Sequence, residues 1–267
     1  MSVRIAITGA SGKMGHALVE AIRSHPETTL TRAICRTVHS SQEQEYSHLN
    51  TQNLKNTLTV NKEEAINAAD VVIDFTRPEA TMDYLAICLA AQKPLVIGTT
   101  GLDAAQKTQI QSASKKIPIV MAPNMSIGIN LLANLVRIAA LTLKQDYDIE
   151  IIEAHHRHKV DAPSGTALFL AETAASALDL TLANEAVFGR KGHTGPRSVS
   201  EIGFSVIRGG DIVGDHTVLF AGEGERIELT HKASSRLTFA QGAVRAALFI
   251  INREPGLYDM QDVIGLR

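Results

Sequence analysis

A histidine-rich segment between residues 153 and 166 carries the side chains best suited to acid–base chemistry. Positions 155 to 159 hold five basic or titratable residues in succession, namely His155, His156, Arg157, His158 and Lys159. Histidine titrates near neutrality and can deliver a proton, and lysine supplies a positive charge or an acid of lowered pKa. The segment therefore indicates a catalytic acid cluster. A solvated basic loop and a zinc site are the alternatives, but no cysteine or fourth ligand lies close, so we expect no metal.

This cluster leads directly into a predicted helix. Ser164 is a good N-cap residue and precedes an apolar-periodic run that begins at Ala167. The first turn would then present backbone N–H groups at Gly165 and Thr166. Because a helix N-terminus and nearby cationic side chains both attract anions, the combination suits a small carboxylate substrate.

Three glycines form the second feature that could bind a ligand. Gly9, Gly12 and Gly15 lie between a β-like run at residues 4–8 and a helical run at residues 16–24. Glycines at such a turn let the backbone approach a pyrophosphate, which the helix N-terminus attracts. The spacing differs from the commoner G-x-G-x-x-G, but the strand and helix around it are the required context. The segment predicts a dinucleotide site, with a glycine turn that binds no nucleotide as the alternative.

The end of the second predicted strand bears on which dinucleotide would bind. Cys35 and Arg36 stand there, and the carboxylate that commonly binds the adenosine ribose is missing. The planar fork of an arginine suits a 2′-phosphate, so Arg36 favours NADP, and a solvated surface arginine is the alternative. Lys13, inside the glycine turn, would add positive charge near the same phosphate.

The elements that must position these residues alternate in the first half of the chain. Continuous apolar runs at 71–75, 95–97 and 117–121 are each separated from the next by a helical run. Strands that are apolar on both faces predict a Rossmann-type, doubly wound parallel sheet of the α/β class. Ligands bind at the carboxyl ends of such strands, which draws attention to the residues that follow each run.

The pattern changes after residue 124. The apolar stretch at Ile127–Leu143 is interrupted by two asparagines and an arginine, so we expect a buried helix rather than a membrane span. Three β-like runs at 202–207, 216–220 and 226–231 are separated by glycine turns, which favour antiparallel pairing. The second half therefore predicts an α+β domain with a mixed, mainly antiparallel sheet.

The composition is that of an ordinary globular protein. Hydrophobic residues make up 45% of the 267 residues, charged residues make up 20%, and the net charge is −2. Nothing global attracts nucleic acid or an anionic membrane, so neither is an expected partner. The two cysteines, Cys35 and Cys88, lie far apart without metal-like spacing, which fits free thiols in a reducing compartment, so we expect a cytoplasmic protein.

Five segments together resemble the dihydrodipicolinate reductase (4-hydroxy-tetrahydrodipicolinate reductase) family almost from end to end. They are GASGKMG, VIDFTRPE, VIGTTG, EIIEAHHRHKVDAPSGTA and GDIVGDHTVLFAGEGERIELTHKASSR. The resemblance implies reduction of 4-hydroxy-tetrahydrodipicolinate with NADPH or NADH, on the diaminopimelate route to lysine. It implies a dianionic dicarboxylate substrate and a homotetramer assembled through the second-domain sheets. It also implies that the C-terminal helix returns to the first domain.

The resemblance also implies roles for particular residues. His155 matches the proton donor, Lys159 the second acid or electrostatic catalyst, and His156 a contact to one substrate carboxylate. Ser164, Gly165 and Thr166 match the site of the other carboxylate. The implied cofactor contacts are Gly9, Ala10, Ser11, Gly12, Lys13, Met14, Arg36, Gly98, Thr99, Thr100, Ala122, Pro123, Asn124 and Met125.

The predicted dinucleotide-binding domain comprises residues 1–126 and 236–267, and residues 127–235 form the predicted substrate-binding and oligomerisation domain. Many members of the family carry a carboxylate where Cys35 stands, a departure that bears on the use of NADH. A non-catalytic NADP(H)-binding protein is one rival hypothesis, but it has no use for HHRHK followed by DAPSGT. A dehydrogenase acting on a semialdehyde is another, which substrate profiling would separate.

Overall fold

The computed structural model describes residues 2–37 and 57–267 and divides into two compact units. Unit 1 is Met1–Ile127 with Arg236–Arg267, and unit 2 is Gly128–Ser235. The predicted first boundary, after residue 126, lies one residue earlier than this division, and the second lies at the same place. Residues 37–56 are polar and rich in Ser, Gln and Asn, which predicts an irregular segment, and they fall almost wholly outside the described residues.

The described residues of unit 1 form a seven-stranded parallel sheet. Its strands are β1 (Val3–Thr8), β2 (Thr28–Ile34), β3 (Leu58–Thr59), β4 (Val71–Asp74), β5 (Leu95–Ile97), β6 (Pro118–Met121) and β12 (Gly256–Tyr258). They lie in the order β12-β6-β5-β4-β1-β2-β3, and every neighbouring pair is parallel. Its helices are α1 (Lys13–Ser24), α2 (Lys62–Asn67), α3 (Pro78–Ala90), α4 (Ala104–Ala113), α8 (Leu237–Ile250) and α9 (Met260–Val263). The predicted doubly wound sheet is confirmed.

Helices cover both faces of this sheet because its strands are apolar on both sides. All four residues of β4 are buried. Val71 and Ile73 belong to the core that includes residues of α1 and α8, whereas Val72 belongs to the core that includes residues of α3 and α4. Alternate side chains of a strand point to opposite faces, so a continuous apolar run serves two cores.

Unit 2 contains a five-stranded mixed sheet. Its strands are β7 (Asp148–His155), β8 (Ala186–Val187), β9 (Ile202–Arg208), β10 (Gly214–Ala221) and β11 (Arg226–Ala233), and its helices are α5 (Ile127–Leu143), α6 (Gly165–Ala177) and α7 (Leu182–Glu185). The strand order is β11-β10-β7-β9-β8. Strand β10 is antiparallel to both of its neighbours, while β7 and β8 each run parallel to β9.

The predicted mixed sheet is therefore confirmed, and more of its residues pair antiparallel than parallel, because β10 pairs along nearly its whole length with both neighbours. The glycine turn between β9 and β10 suggested a hairpin, whereas β7 lies between these two strands. The second turn, at residues 222–225, does join a hairpin, formed by β10 and β11. A turn fixes where the chain reverses, but it does not exclude insertion of an earlier strand.

Helix α5 is buried on one face only. Its residues Ile129, Leu132 and Val136 pack in the core of unit 2, whereas Leu131 and Ile138 are exposed. The segment Ile127–Asp146 is long and apolar enough to cross a membrane by length and composition, which is weak support for a span because core helices pass the same test. About a third of the residues in this segment are buried, so the helix that we expected to be buried is buried only in part.

Candidate active site

Strand β7 places two buried polar side chains on one face. Its sequence DIEIIEAH alternates half-buried with buried residues, so Glu153 and His155 share a face with the apolar Ile149 and Ile151. Glu153 is 1% exposed and His155 is 8% exposed. Side chains of a strand repeat with a period of two, so residues 153 and 155 necessarily lie on the same side. The alternation brings a carboxylate beside an imidazole.

The carboxylate of Glu153 is bound by both a histidine and an arginine. His155 Nδ1 lies 2.6 Å from Glu153 Oε2. The Arg208 guanidinium donates to both carboxylate oxygens, from Nη1 to Oε2 at 2.7 Å and from Nη2 to Oε1 at 2.9 Å. Bidentate arginine–carboxylate pairs are strong and geometrically specific. Glu153 is therefore fixed between the two cationic or titratable groups.

Glu153 is ionised in this arrangement. Burial alone would raise the pKa of its carboxyl group, but hydrogen bonds from Arg208 and His155 outweigh burial and hold that pKa below its ordinary value. The backbone N–H of Ser164 donates a further bond of 3.0 Å to Oε1. An ionised carboxylate only accepts hydrogen bonds, so His155 Nδ1 carries the hydrogen that it shares with Glu153.

Ser164 caps α6 as expected and connects it to a second buried histidine. Its Oγ accepts the N–H of Ala167 at 3.1 Å and lies 2.9 Å from His216 Nε2. The ring of His216 stands edge-on to that of His155, with centroids 5.0 Å apart. Burial, and next the charge of His155, lowers the pKa of His216 to about 3. His216 is therefore neutral at pH 7.

The other predicted substrate contacts lie on the loop after β7 and in the first turn of α6. Lys159 Nζ pairs with both carboxylate oxygens of Asp161, at 2.7 and 2.8 Å. His156 and Thr166 are half-buried, and Gly165 is exposed with nothing within 4 Å of the place a Cβ would occupy. A ligand that binds Lys159 must therefore compete with Asp161 for the ammonium group.

The glycine turn after β1 has the close approaches that require glycine. Gly9 takes a φ of +64°, and a Cβ there would lie 3.0 Å from the Thr76 side chain. A Cβ on Gly15 would come within 2.3 Å of the Ala10 carbonyl oxygen, so α1 could not pack onto the turn with any other residue. Gly12 is the N-cap of α1 and makes no side-chain cap, which leaves the first N–H groups of the helix to an external acceptor.

A cavity of about 320 Å³ opens beside this turn. Four predicted cofactor contacts line it, namely Gly9, Ser11, Gly12 and Arg36. The other lining residues are Ile34, Cys35, Phe75, Thr76, Arg77, Ala80 and Tyr84. Arg36 is exposed, whereas burial raises the pKa of the Cys35 thiol and keeps it neutral at pH 7. Two arginines therefore line the cavity, the predicted Arg36 and also Arg77, and the Cys35 thiol, which lines it too, adds no negative charge.

The remaining predicted cofactor contacts do not line that cavity. Ala10 is buried and its N–H is bonded to the carbonyl of Ile34 at 3.0 Å, so this amide is already used. The others are either exposed or packed among neighbouring elements, and they are Lys13, Met14, Gly98, Thr99, Thr100, Ala122, Pro123, Asn124 and Met125. Of these, Gly98 packs so tightly that a Cβ would lie 2.3 Å from the Phe75 ring.

Asp74, at the end of β4, organises the loops that carry several of these residues. It is fully buried and accepts hydrogen bonds from the hydroxyls of Thr8, Thr76, Thr81 and Thr99. Those to Thr76 and Thr81 measure 2.7 and 2.5 Å. Since the four hydroxyls come from β1, two loops and α3, a single carboxylate fixes the carboxyl edge of the sheet.

Sequence reasoning therefore missed four residues of the two sites, which are Asp74, Glu153, Arg208 and His216. Glu153 was recognisable in principle, because any strand that continues to His155 places residues 153 and 155 on the same face. Arg208 and His216 carried no such signal, since they come from strands far along the chain. Among the described residues, no cluster of three or more histidines, cysteines and acids could hold a metal ion.

The chain is thus a two-domain protein, with a Rossmann-type sheet and its glycine turn in one unit and, in the other, a mixed sheet that presents a carboxylate-bound histidine near a helix N-terminus. The protein-family model described as "Dihydrodipicolinate reductase, N-terminus" matches residues 3–125. The family model described as "Dihydrodipicolinate reductase, C-terminus" matches residues 128–264. The chain therefore belongs to the dihydrodipicolinate reductase family.

Similar proteins cover the chain at full length. The 4-hydroxy-tetrahydrodipicolinate reductase of Pseudomonas fluorescens is 57% identical over 98% of this chain and 99% of its own. That of Thiobacillus denitrificans is 54% identical over 100% of both chains. A solved structure, a dipicolinate-bound dihydrodipicolinate reductase from a Paenisporosarcina species, is 26% identical with a TM-score of 0.77, covering 99% of this chain and 100% of its own. The chain is thus an enzyme, an oxidoreductase of this family.

Proposed function

We propose that this chain reduces 4-hydroxy-tetrahydrodipicolinate to tetrahydrodipicolinate with NADPH or NADH, on the diaminopimelate route to lysine. Relatives with this name match it over their whole length. The observation that carries the proposal is His155, held by an ionised carboxylate beside the capped N-terminus of α6. That arrangement provides a proton donor and an anion-binding helix end in one place.

The substrate in this proposal is a dianion, and unit 2 provides the groups that would bind it. His156 would contact one carboxylate, and Ser164, Gly165 and Thr166 would contact the other through the first turn of α6. A solved relative is bound to dipicolinate, which, like the proposed substrate, is a six-membered ring with two carboxylates. The proposal thus assigns substrate binding to unit 2.

His155 and Lys159 are the proposed catalytic residues. The nicotinamide, when bound, would supply the hydride, the hydroxyl group of the substrate would leave as water, and the negative charge that the hydride brings would be neutralised by a proton. His155 would deliver a proton from Nε2, because Nδ1 already donates to Glu153. Lys159 would exchange Asp161 for the substrate and stabilise the developing charge electrostatically.

Cofactor binding is assigned to unit 1, with a preference for NADPH. The glycine turn and the first N–H groups of α1 suit the pyrophosphate, and Arg36 in the adjoining cavity suits a 2′-phosphate. A neutral Cys35 does not repel that phosphate, as a carboxylate would. NADH would lack the contact to Arg36 and bind more weakly.

We further propose a cytoplasmic homotetramer formed through the sheet of unit 2. Helices α5 and α6 pack on the face of β7 that carries Ile149 and Ile151. The opposite face carries Ile152 of β7 and Ile207 of β9, which is 51% exposed. Exposed isoleucines on a sheet face that no helix covers favour association with further copies, although charged residues such as Glu150 share this face. Two free cysteines suit a reducing compartment.

Steady-state kinetics test this function. The purified enzyme should oxidise NADPH only when freshly prepared 4-hydroxy-tetrahydrodipicolinate is added, and pyridine-2,6-dicarboxylate should inhibit competitively. Lys159→Ala should lower kcat about 100-fold or more, because it removes a charge used in the transition state. Lys107→Ala, an exposed lysine on α4, is the matched control and should leave kcat unchanged. No turnover of this substrate, or an effect of Lys159→Ala on KM alone, would contradict the proposal.

A further inference from the structure

We propose that Glu153 is a positioning residue for proton donation by His155, and that Arg208 holds Glu153 ionised for this purpose. The inference rests on the proposed function, since it concerns the same site and adds two residues to it. Both act through His155 rather than on the substrate.

The hydrogen-bond geometry assigns the tautomer of His155. The ionised carboxylate of Glu153 has no hydrogen to give, so the 2.6 Å contact requires a hydrogen on Nδ1. Nε2 is then the ring nitrogen that exchanges the reacting proton. It lies 3.0 Å from the place a Cβ of Gly214 would occupy, so the missing side chain there leaves Nε2 room. Glu153 thus decides which nitrogen faces the chemistry.

The charges around the ring act in opposite directions. Glu153, on the same strand, places a negative charge against the ring, whereas Arg208, on β9, places a positive charge on the other side of the same carboxylate. On β10 and β11, His216 and His231 have lowered pKa values, chiefly through burial. Lys159, on the loop after β7, is neutralised by Asp161 at 2.7 Å. The negative charge in contact with the ring is therefore that of Glu153.

The same carboxylate also reaches the helix that would bind the substrate. Its Oε1 accepts the N–H of Ser164, and Arg208 Nη2 donates at 2.8 Å to the carbonyl of Asp161. One buried ion pair therefore fixes the proton donor, the N-cap of α6 and the loop that bears Lys159. Such an arrangement holds the proton donor His155 and the N-terminus of α6 at a fixed distance from each other, although the ion pair itself contributes no group to the reaction.

Two variants test this role through the pH dependence of kcat/KM. Glu153→Gln keeps the shape and removes the charge. It should lower kcat about 10- to 100-fold with KM changed less than about threefold, and move the alkaline limb about one unit to lower pH. Arg208→Gln should move that limb to higher pH, because a positive charge near the imidazolium is lost. A merely structural role would lower activity without these opposite shifts.

The matched control is Glu172→Gln, an exposed carboxylate on α6, which should leave kcat and the pH profile unchanged. A wild-type profile in Glu153→Gln, or limbs that move the same way in both variants, would overturn the proposal.

A second measurement requires neither variant to fold. In wild-type enzyme labelled with ¹⁵N-histidine, the His155 signal, identified by its loss in His155→Gln, should show hydrogen on Nδ1 at alkaline pH. Hydrogen on Nε2 would refute the inference. Because this readout needs no turnover, it stands even if the proposed substrate is not reduced, and the two hypotheses fail separately.

Discussion

At the end of β2, a buried thiol and an exposed guanidinium face the same cavity. Burial raises the pKa of Cys35, so its thiol is uncharged at neutral pH, while Arg36 brings a positive charge to the cavity. The two residues together make the cavity wall positive where the adenosine ribose is expected. We therefore expect one charge at this place to decide between NADPH and NADH.

Cys35→Asp should move the preference from NADPH towards NADH. The new carboxylate would repel a 2′-phosphate and accept hydrogen bonds from the ribose hydroxyls. We expect the ratio of kcat/KM for NADPH to that for NADH to fall about tenfold, which corresponds to about 1.4 kcal/mol. Cys35→Ser, similar in size and uncharged, is the control. An equal ratio in both variants would show that the charge at position 35 does not set the preference.

His216 should make the protein less stable in mild acid. Its pKa is lowered from 6.5 to about 3 in the folded chain, so the unfolded chain binds a proton more readily. The stability it contributes is complete above about pH 6.5 and is lost as the pH falls towards 3, at about 1.4 kcal/mol per unit. Between pH 7 and pH 5 the free energy of unfolding should therefore fall about 2 kcal/mol more in wild type than in His216→Gln.

Urea titrations at the two pH values measure this difference. Glutamine keeps a polar group that can reach Ser164 Oγ but does not titrate, so the variant isolates the proton. His231, whose pKa is also lowered by burial, is present in both proteins and cancels. Parallel pH dependences in the two proteins would mean that His216 is not buried as the structure shows.

At the scale of elements, segments with a clear apolar pattern could be predicted and segments without one could not. The bounds of β5 and α5 agree with their predicted ranges because their apolar patterns continue to the ends of the elements. β8 (AV) and β12 (GLY) lack the run of large apolar residues that marks β5 (LVI), and they form because the edges of the two sheets accept them. Strand order was likewise unpredictable where it depends on packing, as with β7 between β9 and β10.

Gly242 in α8 shows packing that only the tertiary structure reveals. A Cβ there would lie 1.7 Å from the carbonyl oxygen of Met125, in the segment proposed to contact the cofactor. Alanine has a helix propensity about 1 kcal/mol more favourable than glycine. The 1.7 Å contact is far shorter than any real contact, however, so we expect the clash to outweigh this gain and Gly242→Ala to be less stable than wild type. We expect a net loss of about 1–3 kcal/mol and a raised KM for NADPH.

Thermal unfolding and cofactor titration check this expectation. Gly209→Ala is the matched control, because Gly209 has open space around it and no positive φ. It should leave both the midpoint of unfolding and the KM for NADPH near their wild-type values. A Gly242→Ala protein as stable as wild type would mean that α8 does not press on this loop.

At the scale of the whole molecule, the candidate site was predictable where it is local in sequence. Ser164 follows His155 by nine residues, and capping rules and strand alternation suffice to place both. Arg208 reaches the Glu153 carboxylate, and His216 reaches the Ser164 hydroxyl, only because β9 and β10 flank β7. Such contacts depend on strand order, which periodicity does not encode. The family resemblance supplied the residue roles that the pattern alone left open.

The uncovered face of the unit 2 sheet leads to a prediction about assembly. Ile207 points away from the face where Arg208 binds Glu153 and is 51% exposed, so an aspartate there should leave the fold of a single chain intact. In a tetramer formed through this face, the buried charge would cost several kcal/mol and weaken association.

Light scattering coupled to size-exclusion chromatography should therefore find four chains in wild type and fewer in Ile207→Asp. Val60→Asp, which places the same charge at a 57% exposed residue of unit 1, should remain tetrameric. Four chains in both variants would place the interface on another surface.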